Sequence, residues 1–465
     1  MREFKMPTAY TVLFAILLAM TLLTWFIPSG EYRYDGEGKP IAGSYHQVED
    51  AAQPLTSVLV APLEGLYEAI DIAAFILMVG GFLGVVAKTG AIDGGISRII
   101  QRLEGREMLL IPILMCAFAL GGTTFGMAEE TIAFYPLVLP IMVAAGYDTV
   151  TGVAVILLGA GVGVIGSTVN PFATGIAAGF AGISLGEGIL LRLVILLALL
   201  GLAIWVVMSY ARRVKEDPSK SLVAERRSEH LAHFGALRQE TPTLGRVQKT
   251  ALIFFAVTFL VMVYAVIPFS DMGLPIPTLG WWFTELSALF LGASIVTGLC
   301  CGLGEEDTVT AFVSGAAELL GVAFIIGISR GITVIMNSGK ITATILSWGE
   351  AALAGAGALG FMVLVYLIYY PLSFLIPSTS GLATLSMPIV APLADFSGVG
   401  RDLVITAFQS ACGVVNLITP TSAVVMGALA IGRVPYDRWL KFVWKFAVGI
   451  FVLLLILLCV GVVLG

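Results

Sequence analysis

The segment Gly163–Thr174, GVIGSTVNPFAT, interrupts an apolar stretch of the chain. A second apolar stretch is interrupted in the same way by Cys412–Ser422, CGVVNLITPTS. Each segment places Asn, Ser or Thr beside a proline, which lacks a backbone donor and clashes with the preceding turn of a helix. We therefore predict a broken helix at each position. At membrane depth, a broken helix is tolerated only where it is buried in protein or lines a cavity.

The composition indicates a membrane protein. Of the 465 residues, 58% are hydrophobic and 12% are charged, whereas a soluble protein has about twice that charged fraction. Several apolar stretches approach the ~20 residues that cross a bilayer, including residues 189–207 and 446–464. The sequence therefore predicts an all-α polytopic membrane protein. The first apolar run, residues 8–27, is expected to be a retained helix rather than a cleaved signal peptide.

The basic residues predict the orientation of the chain. Most Lys and Arg residues fall in four segments, 1–7, 88–107, 212–249 and 433–445. The positive-inside rule places such segments in the cytoplasm, so the N-terminus is expected to be cytoplasmic. The long segment 212–249 is interpreted as a cytoplasmic connector, and no nucleic-acid partner is expected.

The two halves of the chain resemble each other. The stretch YPLVLP at 135–140 matches MPIVAP at 387–392, and Asn170-Pro171 matches Thr419-Pro420. Helix counting places equivalent segments on opposite sides of the membrane, which predicts two inverted repeats. Each repeat is expected to contain a re-entrant hairpin and a broken transmembrane helix. The predicted divisions are 1–211 for the first repeat, 212–280 for a basic linker with one connecting helix, and 281–465 for the second repeat.

Polar residues of the two breaks and the two hairpin tips are predicted to form a binding site. Breaking a helix frees carbonyl groups for a cation at one end and amide groups for an anion at the other. The alternative is a pair of kinks whose hydroxyls bond back to the preceding turn. The candidate substrate- or ion-binding residues are Thr123, Thr124, Glu129, Glu130, Ser167, Thr168, Asn170, Thr174, Ser378, Thr379, Ser380, Asn416, Thr419 and Thr421. A coupling Na⁺ is predicted near Ser167, Asn170, Ser378 and Thr419.

Three charged residues stand out within the apolar sequence. Intramembrane carboxylates usually serve function, so Glu129 and Glu130 are expected either to neutralise a cation or to take up a proton. The alternative is a hairpin tip that reaches the cytoplasmic surface and is solvated. Arg330 is a candidate charge partner for a substrate carboxylate or for a carboxylate of the other half. A structural ion pair is the alternative for Arg330.

Other classes of function are disfavoured. The three histidines, His46, His230 and His233, lie in polar loops, and the Ser/Thr-rich segments lack an adjacent base, so an enzyme is not expected. The P-loop pattern is absent, which argues against ATP as the energy source. The five cysteines show no metal-binding or disulfide pattern. We therefore expect no cofactor, and Na⁺ or H⁺ as the coupling ion.

Three stretches carry a family resemblance: the opening residues 6–10 and 25–32, the tip GMAEET at 126–131, and PSTSG at 377–381. Over essentially the whole chain, the sequence resembles the ion transporter superfamily of secondary carriers. Within it, the sequence is similar to the YfcC/ArcD branch of basic amino acid antiporters, which is grouped with the anaerobic four-carbon dicarboxylate carriers. The resemblance implies a homodimer that works by an elevator motion. Sodium–dicarboxylate members carry Ser-Asn-Thr at both tips, whereas this chain has Ser378-Thr379-Ser380 at the second.

The sequence thus predicts a multi-pass secondary transporter of the bacterial inner membrane that carries a small molecule by alternating access. The predicted substrates are basic amino acids, exchanged in the manner of arginine and ornithine. Their carboxylate suits amide ends and hydroxyls, while Glu129 or Glu130 balances their cationic groups. The alternative is a sodium- or proton-coupled carrier of dicarboxylates or other organic anions, for which only Arg330 offers a positive charge at depth.

Overall fold

The structure is a computed structural model that describes residues 9–36, 40–92, 94–95, 98, 106–124, 126–234, 245–266, 269 and 275–464. Helices dominate the described residues, and the one two-stranded sheet among them pairs Gly30–Glu31 (β1) with His46–Gln47 (β2) in antiparallel fashion. The predicted all-α class is therefore confirmed. The predicted cytoplasmic N-terminus and residues 235–244 of the basic linker lie outside the described residues.

The first half of the chain and the linker form ten helices with assigned bounds. They are α1 (Ala9–Leu23), α2 (Ser57–Glu68), α3 (Ile70–Lys88), α4 (Leu110–Thr124), α5 (Tyr135–Ala144), α6 (Thr149–Ile165), α7 (Ile176–Ala181), α8 (Ile189–Glu216), α9 (Arg227–Phe234) and α10 (Arg246–Val266). Short 3₁₀ turns cover Glu107–Leu109, Glu129–Phe134, Pro218–Lys220 and Ala224–Arg226, and a single π turn covers Pro171–Gly175.

The second half repeats the order of a long helix, a helical hairpin, a broken helix and a final long helix. Its helices are α11 (Phe283–Cys300), α12 (Glu305–Ser338), α13 (Ile341–Leu353), α14 (Ala358–Leu375), α15 (Thr379–Phe396), α16 (Arg401–Val415), α17 (Ala423–Ile431) and α18 (Tyr436–Leu464). We call α4 with α5 the first hairpin and α14 with α15 the second hairpin.

Eight helical stretches within the described residues are long and apolar enough to cross a membrane. They are Ile70–Lys88, Glu107–Thr124, Ile189–Glu216, Arg246–Ala265, Phe283–Cys300, Glu305–Ser338, Ala358–Leu375 and Tyr436–Leu464. One of them, Glu107–Thr124, contains the first arm of the first hairpin. The 3₁₀ turn that precedes α4 lengthens this arm to eighteen residues. The re-entrant course of the hairpins stays a prediction.

Both predicted helix breaks are present. The first broken helix consists of α6, residues 166–175 and α7; the second consists of α16, residues 416–422 and α17. Asp148 caps the start of α6 by accepting a hydrogen bond from the Thr151 amide at 2.9 Å. At the second break, Ser422 caps α17 by accepting from the Val425 amide at 3.5 Å. Asp148 thus fixes the start of the first broken helix, and Ser422 restarts the helical hydrogen bonding that Pro420 interrupts.

The two broken helices cross each other through reciprocal glycine contacts. A Cβ atom on Gly161 would overlap the Leu417 side chain, and one on Gly413 would overlap the Ile165 side chain. In each half, the glycine lies four residues before the apolar residue that fills the space beside the other glycine. A twofold axis perpendicular to the helices would produce this pattern. The inverted relation of the two halves nevertheless stays a prediction.

Helix α12 forms a wall that connects the broken helices to the rest of the protein. It packs against α2 and α3 on one side and against α17 on the other. Helix α11 packs against α3 through aromatic pairs, including Phe75 with Phe283 at 5.5 Å and Phe82 with Phe290 at 5.6 Å between ring centroids. This packing places Arg330 of α12 beside the second break.

The described first part of the linker, residues 217–234, docks onto one end of each broken helix. Ser221 donates a hydrogen bond to the Asp148 carboxylate at 2.6 Å, and His230 lies 3.3 Å from the Thr149 hydroxyl. Arg226 donates to the Arg433 carbonyl at 2.9 Å, just beyond the end of α17. We call residues 217–234 the strap. The sequence predicted only a connector here.

Candidate functional site

A cavity of about 280 Å³ lies where the two hairpin tips meet the two breaks, α12 and the start of α11. Nine residues predicted from the sequence line it: Glu129, Glu130, Asn170, Arg330, Ser378, Thr379, Ser380, Asn416 and Thr421. Residues from distant parts of the chain therefore surround one space, as the sequence analysis expected. Its volume is near the lower end of the roughly 300–1,000 Å³ that small-molecule sites occupy.

The other predicted residues lie beside the cavity rather than in its lining. They are Thr123, Thr124, Ser167, Thr168, Thr174 and Thr419. At the first break, Thr123 donates to the Gly166 carbonyl at 2.7 Å and accepts from the Thr168 amide at 3.0 Å. Thr174 donates to Ser167 at 2.6 Å in the same region. Their hydroxyls hold the broken backbone in place, and a direct role in binding stays a prediction.

Two of these six residues show other local bonds. The Thr124 hydroxyl donates to the Leu120 carbonyl at 2.6 Å. This is the bond back to the preceding helical turn that the alternative interpretation predicts. The Thr419 and Thr421 hydroxyls are 2.7 Å apart. Thr421 also donates to the Phe374 carbonyl at 3.0 Å, which ties the second break to the second hairpin.

Several carbonyl groups at the breaks accept hydrogen bonds from side chains that the sequence analysis missed. Trp439 donates to the Leu417 carbonyl at 2.9 Å, and Tyr436 donates to the Ile418 carbonyl at 2.6 Å. Gln409 donates to the Val164 carbonyl at 2.7 Å. A glutamine inside an apolar helix signals a need for a partner. The two aromatic residues, in contrast, look like ordinary membrane-interface residues in the sequence.

Only two of the four residues of the predicted Na⁺ site line the cavity. Asn170 and Ser378 line the cavity, whereas Ser167 and Thr419 do not. The Ser167 oxygen already accepts the hydrogen bond from Thr174. In the part of the chain that the structure describes, no cluster of three His, Cys, Asp or Glu residues could hold a metal ion. The Na⁺ site remains a prediction.

At the second break, the side chain of Asn416 has a hydrogen-bond acceptor that receives no donor. The residue caps α16, and its Nδ2 lies 3.5 Å from the Thr379 hydroxyl oxygen. Its Oδ1 is buried and has no hydrogen-bond partner among the described residues. A buried acceptor without a donor is costly. Because Asn416 lines the cavity, a ligand N–H group or a cation there would satisfy it.

Asn170 approaches the first hairpin tip closely. A Cβ atom on Gly126 would overlap the Asn170 amide group, and the φ angle of Gly126 is +84°. Both the close approach and this left-handed backbone conformation require glycine. The Asn170 Oδ1 accepts from the Ala173 amide at 3.3 Å, so this side chain also supports the turn that follows the first break.

The charges of the cavity are unevenly distributed. Glu130, on the first tip, is 5% exposed and accepts a hydrogen bond from the Ala128 amide at 3.0 Å. Glu129, beside it, is half-buried. Arg330, on the α12 wall, is also half-buried and has no hydrogen bond or ion pair within the described ranges. The cavity therefore has a carboxylate-rich first tip and one guanidinium on another wall.

The second tip and second break add the positive ends of two helices. Ser378 caps the start of α15, with its hydroxyl oxygen 3.2 Å from the Gly381 amide nitrogen, and Ser422 caps α17. Both serines line the cavity. Helix N-termini attract negative charge. They thus support Arg330 in making this part of the cavity favourable for an anion.

Trp282 and Ser329 also line the cavity, although the sequence analysis did not select them. Trp282 lies there together with Phe283. Glu285 accepts a hydrogen bond from the Trp282 amide at 3.0 Å and thereby caps α11. Ser329, next to Arg330, donates to the Thr421 carbonyl and joins α12 to the second break.

Apolar helices that enclose a polar cavity between broken helices are the architecture of a multi-pass membrane transporter. Residues 6–463 match the model of the DcuC family, described as C4-dicarboxylate anaerobic carrier. The chain belongs to this family.

Two relatives share most of their length with the chain. A Haemophilus influenzae protein, described as uncharacterized, is 33% identical over 489 aligned positions that cover 95% of this chain and 94% of the relative. Escherichia coli YfcC, provisionally described as a basic amino acid antiporter, is 31% identical over 485 positions that cover 95% and 93%.

Two solved transporter structures are also similar, at 15% sequence identity. The Alcanivorax borkumensis YdaH transporter gives a TM-score of 0.45, with 99% of each chain covered. Neisseria gonorrhoeae MtrF, from a class of antimetabolite efflux pumps, gives a TM-score of 0.42, with 98% of this chain and 95% of its own covered. Similarity at this level carries no argument about mechanism or substrate.

Proposed function

We propose that this protein is a secondary active transporter that exchanges basic amino acids of the arginine and ornithine type. The observation that carries the proposal is the charge of the cavity: two carboxylates, Glu129 and Glu130, and one guanidinium, Arg330. A basic amino acid has two cationic groups and one carboxylate. Its charges therefore complement those of the cavity one for one.

The polar groups of the cavity suit the same ligand. A guanidinium such as Arg330 binds a carboxylate through two parallel hydrogen bonds. The donor-free Oδ1 of Asn416 is an acceptor for an ammonium or guanidinium N–H group. The relative YfcC supports this choice, because it is provisionally described as a basic amino acid antiporter.

The second candidate is a carrier of four-carbon dicarboxylates or other organic anions, which the family description favours. Arg330 and the N-termini of α15 and α17 suit negative groups. However, a dianion would share the cavity with Glu129 and Glu130, and like charges at low dielectric repel strongly. This candidate therefore needs protons or Na⁺ to neutralise the two glutamates.

The proposal includes the wider features that the sequence predicted. The transporter would lie in the bacterial inner membrane as a homodimer and alternate the access of its cavity between the two sides by an elevator motion. The resemblance to elevator carriers supports this part. Broken helices around one central site support alternating access.

Exchange in proteoliposomes tests the proposed function. Vesicles are loaded with unlabelled ornithine or with unlabelled succinate, and entry of labelled arginine and labelled succinate is followed under imposed Na⁺ and pH gradients. We expect labelled arginine to enter ornithine-loaded vesicles without a need for Na⁺. Entry of succinate driven by Na⁺ or protons, without arginine transport, would establish the dicarboxylate carrier instead.

A further inference from the structure

We propose that Glu130 is a shared site for a proton and for the cationic group of the substrate, so that the transporter also exchanges a basic amino acid for a proton. The inference rests on the proposed function and adds an ion-coupled activity to it. Glu130 is 5% exposed, lines the cavity, and has no ion pair within the described part of the chain. A buried carboxylate is stable only when it is protonated or when a cation neutralises it.

The surroundings of Glu130 offer little permanent positive charge. The elements that pack on its 3₁₀ turn are α3, α5, α6 and α17. Helices α6 and α17 carry no ionisable side chain, and α5 carries only Tyr135. On α3, Lys88 pairs with Asp307 at 3.2 Å, and Asp71 adds negative charge next to the lining residue Ile72.

The cavity itself contributes Glu129 and Arg330 as the neighbouring charges. No ion pair joins these groups, but the single positive charge of Arg330 offsets only one of the two carboxylates in the net charge of the empty cavity, so a proton on Glu130 makes the three groups neutral in total. When a basic amino acid binds, its carboxylate and two cationic groups add a net charge of about +1 at neutral pH. Loss of the Glu130 proton then restores neutrality.

The exchange step is balanced in atoms and charge. In the empty cavity, Glu130 holds a proton on its carboxyl oxygen. When the substrate binds, that O–H bond breaks, the proton leaves to the aqueous phase that the cavity faces, and a cationic N–H group of the substrate replaces it. No other covalent bond changes. One proton therefore moves in exchange for each substrate molecule, and the cycle moves no net charge.

The structure also gives a reason for obligatory exchange. An empty cavity with ionised Glu130 would carry an unpaired charge at membrane depth, which is costly. Either a proton or a second amino acid removes this charge. The same carboxylate thus allows amino acid–amino acid exchange and amino acid–proton exchange.

Accumulation under a pH gradient tests the inference. Proteoliposomes without internal amino acid receive labelled arginine outside and a lumen one pH unit more acidic than the medium, with the membrane potential held at zero by valinomycin and equal K⁺. One-to-one exchange with protons predicts about tenfold accumulation of arginine, because one pH unit is a tenfold ratio of protons. An imposed membrane potential without a pH gradient should give no accumulation.

The substitution Glu130→Gln separates coupling from binding. The neutral amide imitates the protonated acid permanently, so the pH gradient should no longer drive accumulation. Arginine–ornithine exchange should persist at a reduced rate, and arginine entry should now respond to an inside-negative potential because its charge is uncompensated. A merely structural role of Glu130 does not predict this new response to potential.

Two comparison variants sharpen the test. Glu129→Gln should weaken both arginine binding and the pH-driven accumulation, because Arg330 then offsets ionised Glu130 without a proton. Glu64→Gln, an exposed acid of α2 outside the cavity, should leave both unchanged. If the Glu130→Gln variant shows no arginine–ornithine exchange at all, the Glu130→Asp variant tests the proposal instead. That variant must keep pH-driven accumulation but with a displaced pH profile, and an unchanged profile contradicts the inference.

The possible failures are distinguishable. If the Glu130→Gln variant still accumulates arginine under the pH gradient, the proposal that Glu130 is the shared site is wrong. Wild-type protein that exchanges arginine for ornithine but shows no accumulation under the pH gradient would overturn the inference and leave the proposed function intact. Wild-type protein that moves no arginine under either condition would overturn the proposed function itself.

Discussion

Arg330 lies half-buried on α12 and lines the same cavity as Glu129 and Glu130. Within the described ranges, none of these three side chains neutralises another through an ion pair shorter than 4 Å. A ligand with charges of both signs would complete the pairing. Whether the cavity binds an amino acid or a dicarboxylate thus depends on which charged group of the ligand each of these three residues contacts.

The substitution Arg330→Gln should weaken recognition of the substrate carboxylate alone. Loss of a charge-assisted hydrogen bond costs about 1.5–3 kcal/mol, so the KM for arginine should rise about 10- to 100-fold. The inhibition constant of an arginine analogue without the carboxylate should change little. Competition assays in proteoliposomes measure both values, with Arg213→Gln in the last turn of α8 as control. An equal loss for both compounds would contradict the assignment.

Trp439 is expected to stabilise the second break. The indole is fully buried and donates to the Leu417 carbonyl at 2.9 Å. Trp439→Phe leaves that carbonyl without its donor, which should lower the free energy of unfolding by about 1–3 kcal/mol. Thermal unfolding in detergent measures the loss. The control is Trp444→Phe, whose indole is 52% exposed, and an equal destabilisation by this control would argue against a role of the hydrogen bond.

Residue types in the sequence predicted much of the cavity but not its supports. Asn170, Asn416 and the tip glutamates stood out because polar groups are rare within apolar stretches. Trp439 did not, because its hydrogen-bond partner is far away in the chain and no periodicity connects them. Gln409 carries the same signal as the two asparagines, but only the structure shows its partner, the Val164 carbonyl. Trp282 could not be selected for a related reason: in a sequence, an aromatic residue near a helix start looks the same at a membrane interface and at a cavity wall.

At the scale of elements, the prolines predicted both broken helices, since the missing donor and the steric clash act locally. The strap could not be predicted in this way. Its sequence is polar and rich in charges of both signs, which suits any connector, and its docking depends on partners from both halves, such as Asp148 and Arg433. The structure shows that it joins one end of the first broken helix to one end of the second.

The docking of the strap is expected to weaken in acid. Burial lowers the pKa of His230, although its hydrogen bond to the Arg433 carbonyl acts in the opposite direction. Asp148, Arg226 and Glu229 are the other charged groups that face it. The docked strap favours neutral His230, so an undocked strap binds more protons in acid. Docking should therefore be strongest above pH ~6.5 and weaken as the pH falls below that value.

Hydrogen–deuterium exchange of residues 224–234 measures this effect. After correction for the intrinsic rate, exchange should be faster at pH 5.5 than at pH 7.5, and His230→Gln should remove most of the difference. His233→Gln is the matched control, because that histidine is exposed and makes no hydrogen bond to the described residues of the broken helices. Equal protection at both pH values in the wild type would refute the expected pH dependence.

At the scale of the whole molecule, the two halves meet where the broken helices cross at Gly161 and Gly413. The matched sequence motifs predicted two related halves, but they did not predict this crossing, which depends on shape rather than polarity. The family and the multi-pass helical class are established. The inverted relation of the halves, the domain boundaries, the homodimer and the cytoplasmic N-terminus stay predictions.

The crossing should tolerate no side chain on either glycine. Gly161→Leu and Gly413→Leu should each lower the free energy of unfolding by about 1–3 kcal/mol through overpacking, and by similar amounts because the contacts are reciprocal. Gly201→Leu on α8 is the control, since no atom lies within 4 Å of a Cβ built there. Thermal unfolding of the three variants checks this expectation, and stable protein with Leu at both crossing positions would refute the contact.

The most direct test of the central claim is equilibrium binding of labelled arginine to the purified protein in detergent, with unlabelled competitors. A cavity with two carboxylates and one guanidinium should bind arginine, and ornithine should displace it at comparable concentration while succinate should not. Arg330→Gln should reduce this binding. If succinate displaces arginine as well as ornithine does, or if succinate binds and arginine does not, the basic amino acid assignment is wrong.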